Sequence, residues 1–206
     1  MLNNIEVVSP RRKGMYKASG VIALLLGLIF LVGIVNIWFS LFQDNWLIKL
    51  FKLNAGFDSM NFDVLHGLNP LDIVILVLVA VMYLGLYIAL RRTSKIWAVV
   101  AVVQPFLGIV LFIVTELAGR SAVMGAGIVI SCVMLRSNIF RKTIAFVGIL
   151  SSVLLFVGDF GTTANTGSSI IAILIGIGYI LCVIWFFLVG QRLMHLGMLD
   201  ETALRT

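Results

Sequence analysis

The stretch "SPRRKGMYKASGVIALLLGLIFLVGIVNIWFSLF", residues 9–42, decides the fold class, because a basic flank precedes a long run that is almost purely apolar. The apolar run is about 25 residues long, whereas a helix needs ~20 to cross a bilayer and a signal-peptide core has only ~7–15. The segment therefore predicts a helix that remains in a membrane.

The composition of the whole chain agrees with this start. Apolar residues make up 61% of the sequence and charged residues 12%, and the mean hydropathy is +1.14. Globular proteins are roughly half apolar and a quarter charged. Six apolar runs have the length of membrane spans, at about 18–42, 72–90, 96–117, 120–136, 143–159 and 169–190. The sequence predicts one all-α domain over residues 1–206, an integral membrane bundle of six transmembrane helices.

The basic residues predict how this bundle is oriented. With the N-terminus inside, 12 of the 15 Lys and Arg residues face the cytoplasm, and only Lys49, Lys52 and Arg120 lie outside. This bias predicts an N-in, C-in topology. The one long outer loop, 43–71, contains "DNWLIKLFKLN", whose pattern is typical of an amphipathic helix at the membrane interface or of a continuation of the first span.

Small residues indicate where helices meet, because helices in lipid need close backbone contact to associate. Small side chains recur every fourth residue in the fourth and sixth spans, and both stripes are predicted to be helix contacts: Ala118, Ala122, Ala126, and Ser168, Ala172, Gly176. In the third span, Gln104 is expected to turn inward beside Pro105.

Polar residues near the outer ends of the spans are the candidates for a site. Asp159, Glu116, Arg120, Gln104 and Asn36 are predicted to line one polar pocket that opens outward, because ionisable groups in a membrane often mark function. In the alternative interpretation, the glutamate and the arginine neutralise each other and the aspartate ends the fifth helix in water.

Motifs for catalysis or metal binding are not complete in the sequence. Cys132 and Cys182 fall within apolar runs, and His66 and His195 are isolated, so no metal site and no cofactor are predicted. The triplet "DFG" at 159–161 lacks the other kinase motifs. These observations favour a protein that is not an enzyme.

Three segments carry a resemblance to a known group. At "LNPLDIVILVLVAVMYLGLYIALRR", "PFLGIVLFIVTELAGRSAVMGAG" and "SSVLLFVGDF" the chain resembles small prokaryotic six-helix membrane proteins of a domain-of-unknown-function family, over roughly residues 15–197. The resemblance implies a multi-pass protein of the bacterial or archaeal cytoplasmic membrane. It implies no activity and no site residues.

These patterns lead to three hypotheses for function. The first is a non-enzymatic membrane protein that binds a lipid, a small amphipathic ligand or a protein partner through the outer pocket. The alternative is a small secondary transporter or channel that couples ions or protons at Asp159 and Glu116, and the third is an intramembrane hydrolase. The expected partners are membrane lipids, with a second copy of the chain or another membrane protein as alternatives. Nucleic acid is not expected, because the basic residues sit at the ends of apolar runs.

Overall fold

The computed structural model describes residues 10–41, 70–91, 93–114, 116–164 and 169–198. Every regular element in these ranges is a helix, which confirms the all-α class. The helices are α1 (Pro10–Leu41), α2 (Pro70–Leu90), α3 (Lys95–Val114), α4 (Glu116–Arg136), α5 (Lys142–Ala164) and α6 (Ser169–Met198).

Two of the three prolines stand where a helix accepts them. Pro10 and Pro70 are the first residues of α1 and α2, a position where the missing N–H of proline needs no partner. Pro105 lies inside α3 and is fully buried, and α3 continues beyond it to Val114. The helices otherwise follow the apolar runs of the sequence.

The helix bounds correct two details of the predicted spans. The fifth helix was predicted to end at Asp159, but α5 continues to Ala164 through a glycine and two threonines. The cost of such residues in a helix is only ~0.5–1 kcal/mol each, so they do not end a helix by themselves. Glu116 was placed in the third span, but it begins α4 and shares that helix with Arg120. The predicted interfacial helix of loop 43–71 lies outside the described residues.

The helices form a ring in chain order. Each helix packs against the next one along the chain, and α1 also packs against α6, which closes the ring. The connections from α2 to α3, from α3 to α4 and from α4 to α5 are short, so each of these helices is antiparallel to the next one. Because α2 also touches α4, α3 lies on the outside of the ring.

Glycines bring α1 and α6 into backbone contact. A Cβ at Gly190 would lie 2.9 Å from the carbonyl oxygen of Gly20, and a Cβ at Gly20 would lie 2.9 Å from the backbone nitrogen of Met194. One heptad away in each helix, Gly27 lies against Phe187 and Gly197 lies against Lys17. We call these four glycines the glycine seam; their spacing of seven suits two helices that cross at a small angle.

The predicted small-residue stripe of α6 is wrong at Gly176. No atom of the described residues lies within 4 Å of the position that its Cβ would take. The glycine two residues further on makes the contact instead, since a Cβ at Gly178 would lie 3.0 Å from Leu155. In α4 the prediction agrees better with the structure, because Ala126 is fully buried and Ala122 lies near Gly108 of α3.

One end of the ring collects basic side chains, and we call it the basic end. Arg192 of α6 donates its Nε–H to the carbonyl oxygen of Ile139 at 2.7 Å, so the end of α6 meets the α4–α5 connection. The described Lys and Arg side chains all lie toward this end: Lys13, Lys17, Arg91, Lys95, Arg136, Arg141, Lys142 and Arg192. The adjoining half of the core is filled by fully buried aliphatic side chains: Leu86, Leu90, Ile130, Met134, Val189 and Leu193.

The exterior of the ring is apolar. On α6, isoleucines with helical spacing are between 42% and 70% exposed: Ile170, Ile173, Ile177, Ile180 and Ile184. Within the described residues, the stretches Lys13–Val35 and Ile173–Met198 are long and apolar enough to cross a membrane, and the other helices contain shorter apolar stretches. Helix length and surface together associate the chain with a membrane.

A candidate ligand cavity in the helix ring

A cavity of about 380 Å³ lies within the ring, in the half away from the basic end. Side chains from every helix except α3 line it in the described part of the chain. They are Phe30, Ile75, Leu76, Val79, Tyr83, Val123, Met124, Gly127, Ser151, Ser152, Leu155, Tyr179, Cys182, Trp185 and Phe186. The described lining is therefore apolar and aromatic, with a few neutral polar groups.

Aromatic rings form the wall between α1 and α6. The ring centroid of Phe30 lies 6.1 Å from that of Tyr179 and 5.4 Å from that of Phe186, and both pairs are tilted. Trp185 packs against Phe186 with centroids 5.4 Å apart. These distances are typical of favourable aromatic pairs. The rings adjoin Gly27, the last glycine of the seam in α1, and beyond it this part of the interface is built from side chains.

Hydroxyl groups face the cavity from the opposite side. A Cβ at Gly127 of α4 would collide with Ser152 Oγ and would lie 3.7 Å from the hydroxyl oxygen of Tyr83. The glycine thus leaves room for two hydroxyls, from α5 and α2, at one place. Ser151 Oγ donates to the carbonyl oxygen of Gly148 at 3.0 Å, which anchors this neighbouring hydroxyl to its own helix.

Two polar atoms are buried beside Gly148: one belongs to Trp185, which lines the cavity, and the other to Ser131, which is not among its lining residues. Trp185 Nε1 and Ser131 Oγ have no hydrogen-bond partner among the described residues, although their side chains are only 4% and 0% exposed. Both atoms adjoin Gly148, whose missing side chain gives them space. An indole N–H is solely a donor, and a buried polar group without a partner costs ~1–3 kcal/mol. A molecule that presents an acceptor to Trp185 would remove this cost.

The residues predicted to form the outer pocket are only partly described. The backbones of Asp159, Glu116, Arg120 and Asn36 lie in α5, α4, α4 and α1, and their side chains are outside the described set. Glu116 and Arg120 are four residues apart in one helix, the spacing at which a pair can form. Their arrangement as a pocket stays a prediction.

Gln104 is the one predicted site residue whose side chain is described. It turns inward toward α4, where its Nε2 lies 2.6 Å from the position that a Cβ at Gly125 would take. Its Oε1 is buried and has no partner among the described residues. Since α3 lies outside the ring, Gln104 packs at the α3–α4 interface and does not line the cavity.

The sequence analysis missed the groups that line the cavity. Tyr83, Ser152 and Trp185 lie far from the ends of their helices, where neutral polar groups tend to face the interior of a bundle. Their position in the middle of apolar runs was the signal from which an interior site could have been predicted. The prediction was instead based on charged residues, which lie near the outer ends of the spans.

Among the described residues, no group of three or more His, Cys, Asp or Glu side chains lies close enough to hold a metal ion. Comparison of the chain with protein-family models, curated proteins and solved structures finds no match.

Proposed function

We propose that this chain is a six-span membrane protein whose helix ring binds a small, neutral, mostly apolar molecule with a hydrogen-bond acceptor. The observation that carries the proposal is the buried Nε1–H of Trp185, which has no partner among the described residues and belongs to an indole that lines a mostly apolar cavity. The proposal is a form of the ligand-binding hypothesis and involves no catalytic step.

Helix length and surface support six spans. The four helices α2 to α5 have 21, 20, 21 and 23 residues. At ~1.5 Å per residue each reaches ~30 Å, the thickness of a bilayer core. Their exteriors are apolar, as Val110 of α3 and Phe146 of α5 show with 59% and 60% exposure. The positive-inside rule would place the basic end in the cytoplasm, which gives an N-in, C-in topology.

Cysteine labelling in intact cells tests this topology. In a chain with Cys132 and Cys182 changed to serine, a cysteine at Asn138, in the α4–α5 connection, should be protected from a membrane-impermeant maleimide. A cysteine at Asn165, between α5 and α6, should react. Equal labelling of both positions, or the opposite pattern, would reject the six-span arrangement.

The size and chemistry of the cavity support the class of ligand. A volume of about 380 Å³ falls in the lower part of the range for ligand pockets, which is roughly 300–1,000 Å³. An apolar cavity of ~150 Å³ already holds benzene, so a ligand of about ten heavy atoms is of a suitable size and a whole phospholipid is not. A neutral lining favours a neutral ligand, because a buried charge would lack a counter-ion.

Cys182 provides a reporter for occupancy, because it lines the cavity. We suggest purifying the Cys132→Ser variant in detergent and measuring how fast N-ethylmaleimide alkylates Cys182. The probes are 2-decanone, which has a carbonyl acceptor, and decane, which has none. 2-Decanone should slow the alkylation at a concentration roughly two- to tenfold lower than decane, since one net hydrogen bond supports a preference of this size.

The Trp185→Phe variant tests whether the indole N–H receives the acceptor. It keeps an aromatic ring in the wall but removes the donor, so 2-decanone and decane should protect Cys182 equally in this variant. The proposal fails if neither probe protects Cys182 in the Cys132→Ser protein. It also fails if the preference for 2-decanone persists after the indole is removed.

A further inference from the structure

A second hollow lies on the outside of the ring, at the basic end. It is a groove of about 270 Å³ between the start of α3 and the end of α4, and it shares no lining residue with the cavity. Its walls include Val129, Cys132 and Val133 of α4, and Trp97 of α3 stands beside them with 52% exposure. Ser94 and Arg136 close the groove at the basic end.

We propose that this groove binds an anionic phospholipid, with part of one acyl chain along α4 and the phosphate on Arg136. The inference rests on the membrane placement proposed above, but not on the cavity. A volume of about 270 Å³ is too small for a whole lipid, so the headgroup must lie beyond the apolar walls, where the arginine is.

The charge at this end of the groove favours an anion. Arg136 is exposed, and so is Lys95, the first residue of α3. Residues 91–97 and 136–142 contain no acidic side chain. A guanidinium can hold phosphate through two parallel hydrogen bonds. Basic pockets between helices on the cytoplasmic side of a membrane are suited to anionic headgroups, and an exposed tryptophan suits the same interfacial depth.

A second arginine at the same end, Arg192, has a different role from Arg136. Arg192 is partly buried and donates to the carbonyl oxygen of Ile139 at 2.7 Å, so its Nε–H supports the fold. Arg136 instead lines a groove whose other lining residues are apolar except for Ser94. This combination of one cation and an apolar trough matches the two parts of a phospholipid.

Native mass spectrometry of the full chain in detergent tests the proposal. The protein is titrated with dioleoyl-phosphatidylglycerol and, separately, with dioleoyl-phosphatidylcholine, which has the same acyl chains and no net charge. We expect phosphatidylglycerol to bind about fivefold more tightly to the first site, the preference expected from one basic residue near the membrane surface. Arg136→Gln should reduce this preference to about one, and Arg136→Lys should keep most of it.

Arg141→Gln is the matched control, since Arg141 is exposed at the same end but does not line the groove. It should keep the preference, whereas an equal loss in both glutamine variants would show a general charge effect and overturn the proposal. A preference that survives Arg136→Gln would also overturn it. Thermal unfolding in detergent should be the same for both variants, which confirms that each is folded.

The acyl chain is tested separately from the phosphate. Cys132→Trp places a large side chain in the groove and should weaken both lipids by a similar factor. Inorganic phosphate, which has no acyl chain, should not displace phosphatidylglycerol at equal concentration; displacement would reduce the groove to an anion site and reject the lipid assignment. The cavity probes should bind the Cys132→Trp protein as before, so the outcome is independent of the proposed ligand cavity.

Discussion

The two halves of the helix ring are packed in different ways. Toward the basic end, α1 and α6 touch through backbone atoms at the glycine seam, and fully buried aliphatic side chains fill the core. In the other half, Phe30, Tyr179 and Phe186 stand between the same two helices, and a cavity of about 380 Å³ lies beside them.

The difference teaches that side-chain size sets the spacing of these helices. Glycines let two backbones approach until the atoms of one helix occupy the space of a missing Cβ in the other. Aromatic rings fill a wide interface only in part, because their flat shape leaves gaps that aliphatic side chains would close. The half with the glycine seam can hold the ring together, while the half with the aromatic rings offers a binding space.

The largest effect is expected at the glycine seam. Gly190→Leu places a side chain against the Gly20 carbonyl oxygen and Leu24, each 2.9 Å from the new Cβ, so the two helices must separate. The free energy of unfolding should fall by about 3 kcal/mol, the upper part of the usual range for overpacking. Reversible unfolding in mixed micelles, followed by circular dichroism, measures the change.

Gly176→Leu is the control on the same helix. Its new Cβ meets no atom of the described residues within 4 Å, and leucine favours a helix more than glycine does by up to ~1 kcal/mol. Stability should therefore be unchanged or slightly higher. Equal losses in the two variants would mean that the seam does not distinguish the two faces of α6.

A smaller effect is expected at Gly148, which lies beside the cavity residue Trp185. Gly148→Ala adds one methyl group, which collides with Ser131 Oγ and Trp185 Nε1 and lies 2.8 Å from Trp185 Cδ1. We expect a loss of about 2 kcal/mol, because both buried side chains must move to admit the methyl group. The same unfolding measurement applies.

Adding Ser131→Ala to the Gly148→Ala protein should recover part of this loss, since it removes one of the colliding atoms. The two substitutions should thus be non-additive by at least ~0.5 kcal/mol. Strict additivity would show that the methyl group is accommodated in another way.

The number and approximate position of the helices follow from the sequence, because each apolar run is bounded by basic or polar residues. The faces of the helices do not follow in the same way. Gly176 and Gly178 are both small and both lie in α6, and they point in directions about 160° apart. Sequence alone shows that α6 has small residues; the position of α5 selects Gly178.

The residue at which a helix ends in a polar segment was equally hard to predict. The residues after Asp159 are glycine and threonine, which are common in turns, yet α5 includes them as far as Ala164. Propensity is a weak guide where a helix is supported by a neighbour. The cavity could not be predicted, because Tyr83, Ser152 and Trp185 come from three helices and meet only through their relative rotation.

The smallest effects are expected at two buried serines. Here the test is the sign of the change in the free energy of unfolding. Ser19 Oγ donates to the carbonyl oxygen of Val81 at 3.3 Å, in the half with the glycine seam, whereas Ser131 Oγ, which lies beside Gly148, has no partner among the described residues. Ser19→Ala should lower the free energy of unfolding by ~0.6 kcal/mol, the average for hydrogen bonds between membrane helices. Ser131→Ala should raise it by up to ~1 kcal/mol, because a buried hydroxyl without a partner is replaced by an apolar group. Both variants remove one oxygen atom, so cavity formation and loss of packing are matched between them. A loss of stability with Ser131→Ala comparable to that with Ser19→Ala would mean that Ser131 makes a hydrogen bond in the protein in solution, and would remove the proposed difference between the two halves at this point.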